Sequence, residues 1–411
     1  MEKGNRRWLV KISFPTLMVG MYITAVYMFD DSPRLFVIAN IVFIIMVFES
    51  LHSGWEKSCK ISTPRGILLL YSAWVTISVI WAWDKAATIG DIKRQIVFTV
   101  LLISIVNVLK WNENAIKKVL MWMMIAGVCL TCYLLVYYNP AQYIQALLQG
   151  KRMGEEILQL NKLGMYTASS CIVAFNFYLE YKRPRYLFAF MFIMVAMIGS
   201  GSKRAFLMVG FSIIISLLLK IRSEDTKNRA IKFLGAIFAG CIVVTIISKM
   251  NFFSGVLGRF QELFDILESG DTRFSRVRFI SYGLKSFMEN PLVGLGSGNS
   301  HKVTLEAMGW ATYLHNNYLE QLVNLGIIGF LLYYGLYAVL LKGLSQDVKR
   351  GLFCAKTVTV LLLSQLVSDV AVTSYNLKFT YLLFAIAISL IENGCQEEMD
   401  DKNEIIRETI L

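Results

Sequence analysis

The sequence predicts an all-α integral membrane protein of about twelve transmembrane helices, and three observations carry that reading. The 411 residues are 56% hydrophobic and 13% aromatic, richer in apolar side chains than a soluble domain. Apolar runs long enough to cross a bilayer as helices recur along the chain, each needing roughly 20 residues. No alternating pattern of barrel strands is present, so a lipid-facing backbone has to satisfy its own hydrogen bonds as helix.

The expected spans lie near residues 12–29, 35–51, 66–83, 95–109, 119–138, 163–180, 186–200, 204–219, 233–249, 317–341, 353–374 and 377–391. The first follows a basic start (Arg6, Arg7, Lys11) but is long and lacks a small-x-small cleavage site, so it reads as a retained span. With the N-terminus inside, six inner segments hold 21 Lys and Arg against 10 in the five short outer connections. That bias places both termini in the cytoplasm.

Residues 250–316 then form a large extracytoplasmic loop between helices 9 and 10. Within it Val256, Phe260, Leu263, Phe264 and Leu267 fall at helical spacing, as do Val277, Ile280, Leu284 and Phe287. Two amphipathic helices on the outer membrane face are expected, the second ended by Asn290-Pro291. The predicted organisation is helices 1–9 over 1–249, the loop over 250–316, helices 10–12 over 317–391, and an acidic cytoplasmic tail over 392–411.

The formal net charge of +12 is spread over membrane-flanking segments and forms no single stripe, which argues against nucleic acid and for topology and anionic membrane lipid. The seven cysteines lie mostly in apolar runs and suggest neither disulfides nor a metal site. No HExxH motif or carboxylate cluster suggests a metal, and no cofactor is expected. PLVGLGSGNS carries Gly294, Gly296 and Gly298 without the spacing of a nucleotide fingerprint. It reads either as a plain re-entry loop or as a turn through which backbone approaches an anion.

Polar chemistry gathers between Arg276 and Gly329, where Arg276, Arg278, Lys285, His301 and His315 stand between long apolar blocks. Charges in such a place need a counter-charge. A guanidinium stays charged and presents a planar fork suited to phosphate oxygens, which makes Arg276 and Arg204 the leading anion candidates. Arg204 also opens a span, where helix amides add to the pull on an anion. Lys203, Arg278 and Arg94 are further candidates for the same patch. Each arginine also has a simpler reading as a snorkelling interfacial side chain. His315, beside Asn316 and Asn317, can take a proton from a hydroxyl; on position alone it also reads as an interfacial histidine bonded to a carbonyl. Asp369 is an intramembrane carboxylate, a functional candidate by default, expected to pair with an arginine of the site.

The loop arginine, PLVGLGSG beginning fifteen residues later, HNNYLE and the LGIIG run together resemble the O-antigen ligase and polymerase superfamily of bacterial membrane glycosyltransferases. SVIWAWD (Ser78 to Asp84) and GSKRAF (Gly201 to Phe206) match further pieces, so the resemblance spans roughly residues 70 to 340. Ile280 departs from it, standing where many members carry tryptophan.

The resemblance implies a GT-C-like fold in the cytoplasmic (inner) membrane. It also implies a metal-independent, inverting glycosyl transfer on the outer face from a polyprenyl-diphosphate-linked glycan, in surface polysaccharide assembly such as O-antigen or capsule. His315 would act as base or orient the acceptor hydroxyl, and Arg276 and Arg204 would hold the diphosphate, with Asn316, Asn317 and Asp369 in support. The acceptor would be a glycan or glycolipid, and a flippase and a chain-length regulator are implied partners. A repeat-unit polymerase is the first expectation, a ligase onto lipid A-core the alternative. A twelve-span transporter or flippase is the competing class, although the two halves show no similarity.

Overall fold

A computed structural model describes residues 13–32, 36–54, 62–109, 113–221 and 275–392. Every regular element among these residues is helical. The helices are α1 (Phe14–Phe29), α2 (Val37–Gly54), α3 (Thr63–Ile77, continued by a 3-10 turn), α4 (Lys85–Val108), α5 (Glu113–Tyr138), α6 (Pro140–Leu148) and α7 (Leu160–Tyr181). After them come α8 (Pro184–Ser200), α9 (Lys203–Ile221), α10 (Ser275–Glu289), α11 (Ser300–Met308), α12 (Asn317–Arg350) and α13 (Phe353–Asp369). A last helix, α14, covers 378–392.

Three helical stretches are long and apolar enough to cross a membrane, Thr63–Ile80, Asn114–Tyr138 and Asn317–Arg350, with shorter apolar helices at Phe14–Phe29, Val37–His52 and Pro184–Ser200. The expected ninth span and the first amphipathic helix lie outside the described residues, as does the acidic tail beyond 392.

Local chemistry sets the helix ends. Proline in the first turn starts α1, α3, α6 and α8, where its missing N–H costs nothing. Asp84 caps α4 by accepting from the amides of Ala86 (2.9 Å) and Ala87 (3.1 Å). The helix therefore begins ten residues before the apolar run that predicts it. Gly201, Gly309 and Gly351 close α8, α11 and α12 at positive φ. Cys129 and Cys132 stand three apart, a CxxC spacing that the composition-level reading passes over, and sit as free thiols on α5.

Most helices pack around one large apolar core, with α7 against α5, α8 and α9, α9 against α13, and α12 against α3 and α13. Helices α10 and α11 meet the start of α12 in a second, smaller cluster of Phe279, Val303, Ala307, Leu314, Leu319 and Val323. Charged clamps mark the two ends of the large core. At one, Arg65 grips Glu392 through Nε (2.7 Å) and NH2 (2.5 Å) and donates to Asn107, which donates to Ser50, joining α2, α3, α4 and α14. At the other, Asp30 accepts from Lys162 (2.8 Å) and Lys378 (2.5 Å), joining the end of α1 to the starts of α7 and α14. The candidate functional residues gather at this second end.

Candidate functional site

The site end is built on a broken helix. Within α12, Gly326 has φ 64 and ψ −167, a region open in practice only to glycine. The turn after α10 fills the gap: the amides of Leu295 and Gly296 donate to the carbonyls of Val323 (2.8 Å) and Asn324 (2.9 Å), and Ile327 donates to Pro291 (2.9 Å). Trp74 Nε1 takes the Leu325 carbonyl and Trp81 Nε1 that of Val293, both at 3.1 Å. The backbone groups released by the break are thus paired again, as an apolar surrounding requires.

That packing uses the three loop glycines. A Cβ on Gly294 would meet the Asn324 carbonyl carbon at 2.6 Å, on Gly296 the Ala82 Cα at 2.7 Å, and on Gly298 the Asp91 Oδ2 at 2.9 Å. The space that the missing Cβ atoms leave is taken by protein, which favours the plain re-entry reading of PLVGLGSGNS.

Around this loop lies a buried polar network. Asp91 accepts from Ser297 Oγ (3.0 Å) and Tyr375 OH (3.1 Å) at one oxygen and from Arg94 NH1 (2.7 Å) at the other. Arg94 is therefore committed to Asp91 and, through it, to the glycine loop. Asn299 donates to Thr88 Oγ1 (2.8 Å) and accepts from the Asp84 amide (2.6 Å). Glu320, 2% exposed, accepts from the Leu314 amide at 2.8 Å and from Ser300 Oγ. Asn317 accepts from the amides of Ser374 (3.0 Å) and Tyr375 (3.1 Å) and donates to Tyr334 OH and Asp369.

Asp369 is wholly buried and receives Tyr334 OH (3.1 Å), Asn317 Nδ2 (3.3 Å) and Gln365 Nε2 (3.1 Å). These neutral donors stand where an arginine was expected. The reason is geometric: the carboxylate faces Asn317 and Tyr334 of α12 and Gln365 one turn back on its own helix.

His315 precedes that turn in the left-handed region, at φ 56. Its half-buried ring lies 4.1 Å from Tyr313 and 6.0 Å from Phe279, centroid to centroid. Asn316 next to it caps α12 by accepting from the Leu319 amide (3.0 Å). His301 lies on the far side of the loop, with Nδ1 donating to the Gly298 carbonyl (2.8 Å) and Nε2 3.5 Å from Asp84.

Lys203 and buried Arg204 open α9. The Ser202 side chain beside them packs on Gly164, in the first turns of α7. Ser212 meets Ser364 of α13 at 2.6 Å, about 12 Å along α9 from Arg204 and about 7.5 Å along α13 from Asp369 at 1.5 Å per residue. Arg204, Asp369 and His315 thus share one end of the bundle. Arg278 is exposed on α10. Arg276 belongs to the same helix, and its side chain lies outside the described residues.

Thr88, Asp91, Gln95, Thr99, Asn299, Ser300, Glu320 and Asn324 were not singled out from sequence, yet all are buried. The signal was present: Thr88, Asp91, Gln95 and Thr99 repeat along one face of α4, as Asn317, Glu320 and Asn324 do on α12. Among the described residues no group of His, Cys, Asp and Glu is arranged to hold a metal ion.

Residues 186–334 match the family model described as O-antigen ligase. The match supports the superfamily resemblance and includes Arg204, the glycine loop and His315, though it covers less of the chain than the motifs do. No curated protein matches the chain.

Proposed function

We propose, from the O-antigen ligase match over residues 186–334, that this membrane protein transfers a glycan from a polyprenyl-diphosphate donor to a sugar hydroxyl on the extracytoplasmic face. The observation that carries the reading is the joint placement of His315 and Arg204 at the end of the bundle where α12 begins and α9 opens. An imidazole can take the proton of the acceptor hydroxyl as its oxygen attacks the anomeric carbon. The bond from that carbon to the diphosphate oxygen breaks, and the charge gathering on the leaving diphosphate falls to fixed cations. Arg204 and Arg276 are assigned that part, with Lys203 and Arg278 as further candidates. Arg94, a further candidate for the patch, already pairs with Asp91. Attack opposite the leaving group inverts the anomeric centre.

A repeat-unit polymerase is the preferred form of this activity, with a ligase to a lipid-core acceptor as the alternative. A flippase and a chain-length regulator would then supply donor and set product length. The transporter reading would claim the broken helix at Gly326, since such sites use interrupted helices. Against it, backbone of the 291–296 loop occupies the break.

The test is reconstitution in nanodiscs with a polyprenyl-diphosphate oligosaccharide. A ladder of product lengths supports a polymerase, and a single product dependent on added core lipid supports a ligase. Loss of His315 (His315→Ala) should lower turnover roughly 10²- to 10⁴-fold. Donor crossing the bilayer without any product would overturn the enzyme reading.

A further inference from the structure

Segment 300–315 starts and finishes on one carboxylate. Glu320 lies in the first turn of α12, 2% exposed. One of its oxygens accepts from the Leu314 amide at 2.8 Å. The other accepts from Ser300 Oγ and from Asn324 Nδ2, the latter at 3.4 Å. The Ser300 amide donates to Asn324 Oδ1 at 2.7 Å, so the start of α11 is held twice. Between these anchors Thr304 Oγ1 bonds both the amide and the carbonyl of Thr312, each at 2.8 Å.

The residue that follows Leu314 is His315, a non-glycine residue in the left-handed region at φ 56. Such a conformation is strained and persists only where its surroundings impose it. The anchored Leu314 amide on one side and the Asn316 cap on the other impose it here. A carboxylate suits the position because three donors converge on it and it accepts at every lone pair. Burying it in an apolar bundle end is costly, and nothing in α12 itself requires it, since Asn316 already caps the helix.

We infer that Glu320 is a positioning residue for the transfer reaction: it ties both ends of segment 300–315 to α12 and so fixes where the His315 imidazole points. The inference rests on His315 as the group that activates the acceptor. Glu320 touches no substrate; it acts through the Leu314 amide.

The substitutions Glu320→Ala and Glu320→Gln separate positioning from simple stability. Glutamine keeps an oxygen for the Leu314 amide, and alanine does not. In reconstituted protein, Glu320→Ala should lower kcat about 100-fold, the scale on which a displacement near 1 Å acts, with KM for the donor within about twofold. Glu320→Gln should remain within about tenfold of wild type. Hydrogen exchange should quicken across 311–316 in the alanine variant, stay slow there in the glutamine variant, and be unchanged over 163–181 in both. Wild-type kcat in Glu320→Ala, an equal loss in both variants, or unaltered exchange at 311–316 would each overturn the inference. Should the wild type itself make no product, the glycosyl-transfer reading fails, while the exchange measurement still decides whether Glu320 holds the segment.

Discussion

Asn317 Nδ2 donates to Asp369 Oδ2 across 3.3 Å, joining the first turn of α12 to the end of α13 with both side chains wholly buried. The Asn317 oxygen meanwhile accepts from two successive amides, Ser374 and Tyr375. One amide side chain therefore reads two elements at once, and its two ends are not interchangeable. Replacing Asn317 by Asp keeps the acceptor but sets a second carboxylate oxygen against Asp369. Asn317→Asp should destabilise the protein at neutral pH by more than the 1–3 kcal/mol typical of an unsatisfied buried group. Thermal unfolding of detergent-solubilised protein, compared with Asn317→Ala, measures this; an Asp variant as stable as wild type would contradict the geometry.

The break in α12 makes a second prediction. A Cβ at Gly326 would lie 2.2 Å from the Leu292 carbonyl oxygen, in a backbone conformation that side chains rarely adopt. Gly335, in the same helix, has nothing within 4 Å of that position. Gly326→Ala should abolish folded protein or cost upwards of about 3 kcal/mol, the clash adding to backbone strain. Gly335→Ala should be neutral or stabilising by roughly 0.5–1 kcal/mol. Yield of monodisperse protein on size exclusion separates the two.

How much of this was legible in the sequence depends on whether the signal is local. Apolar runs announced most of the long helices because one side chain after another reports the same environment. The start of α4 was missed by ten residues because its first turns bury Thr88 and Asp91, which interrupt the apolar run while Asp84 caps the helix. The nine-residue helices α6 and α11 are too short for periodicity to declare. LGIIG reads as unbroken apolar helix, and only the loop packed against it explains why Gly326 leaves the helical region. The candidate residues His315, Asn316 and Asn317 were visible as a motif. Their partners were not, since no local pattern pairs Tyr375 with Asp91, 284 positions away.

The clamp at the opposite end can be tested by charge exchange. Arg65 and Glu392 form a two-pronged pair with side chains only 14% and 13% exposed, and Arg65 also holds Asn107 at 3.0 Å. Arg65→Ala should cost about 2 kcal/mol, in the range of hydrogen bonds to charged groups. The reversed pair, Arg65→Glu with Glu392→Arg, should recover part of what Arg65→Glu alone loses. Additive losses in the double variant would show that the two residues do not act as a pair.

Asp30 gives the fold an acid dependence whose sign follows from its partners. Burial alone would push its carboxyl upward, but the ammonium groups of Lys378 and Lys162 override that and hold it below the usual value. A carboxyl lowered in the folded state releases its proton more readily there than in the unfolded chain, so it favours folding wherever both forms are ionised. Its contribution is fully present above the unfolded value of about 3.9 and is lost as pH falls through the folded value. Asp30→Asn should therefore be less stable than wild type at pH 7, and the gap should narrow on acidification from about pH 5 to pH 3 as wild type gives up the interaction. Unfolding midpoints of both proteins across that range make the check. A gap that stays constant with pH would mean that the carboxylate's charge contributes nothing and that Asp30 serves only as a hydrogen-bond acceptor for Lys162, Lys378 and Tyr166.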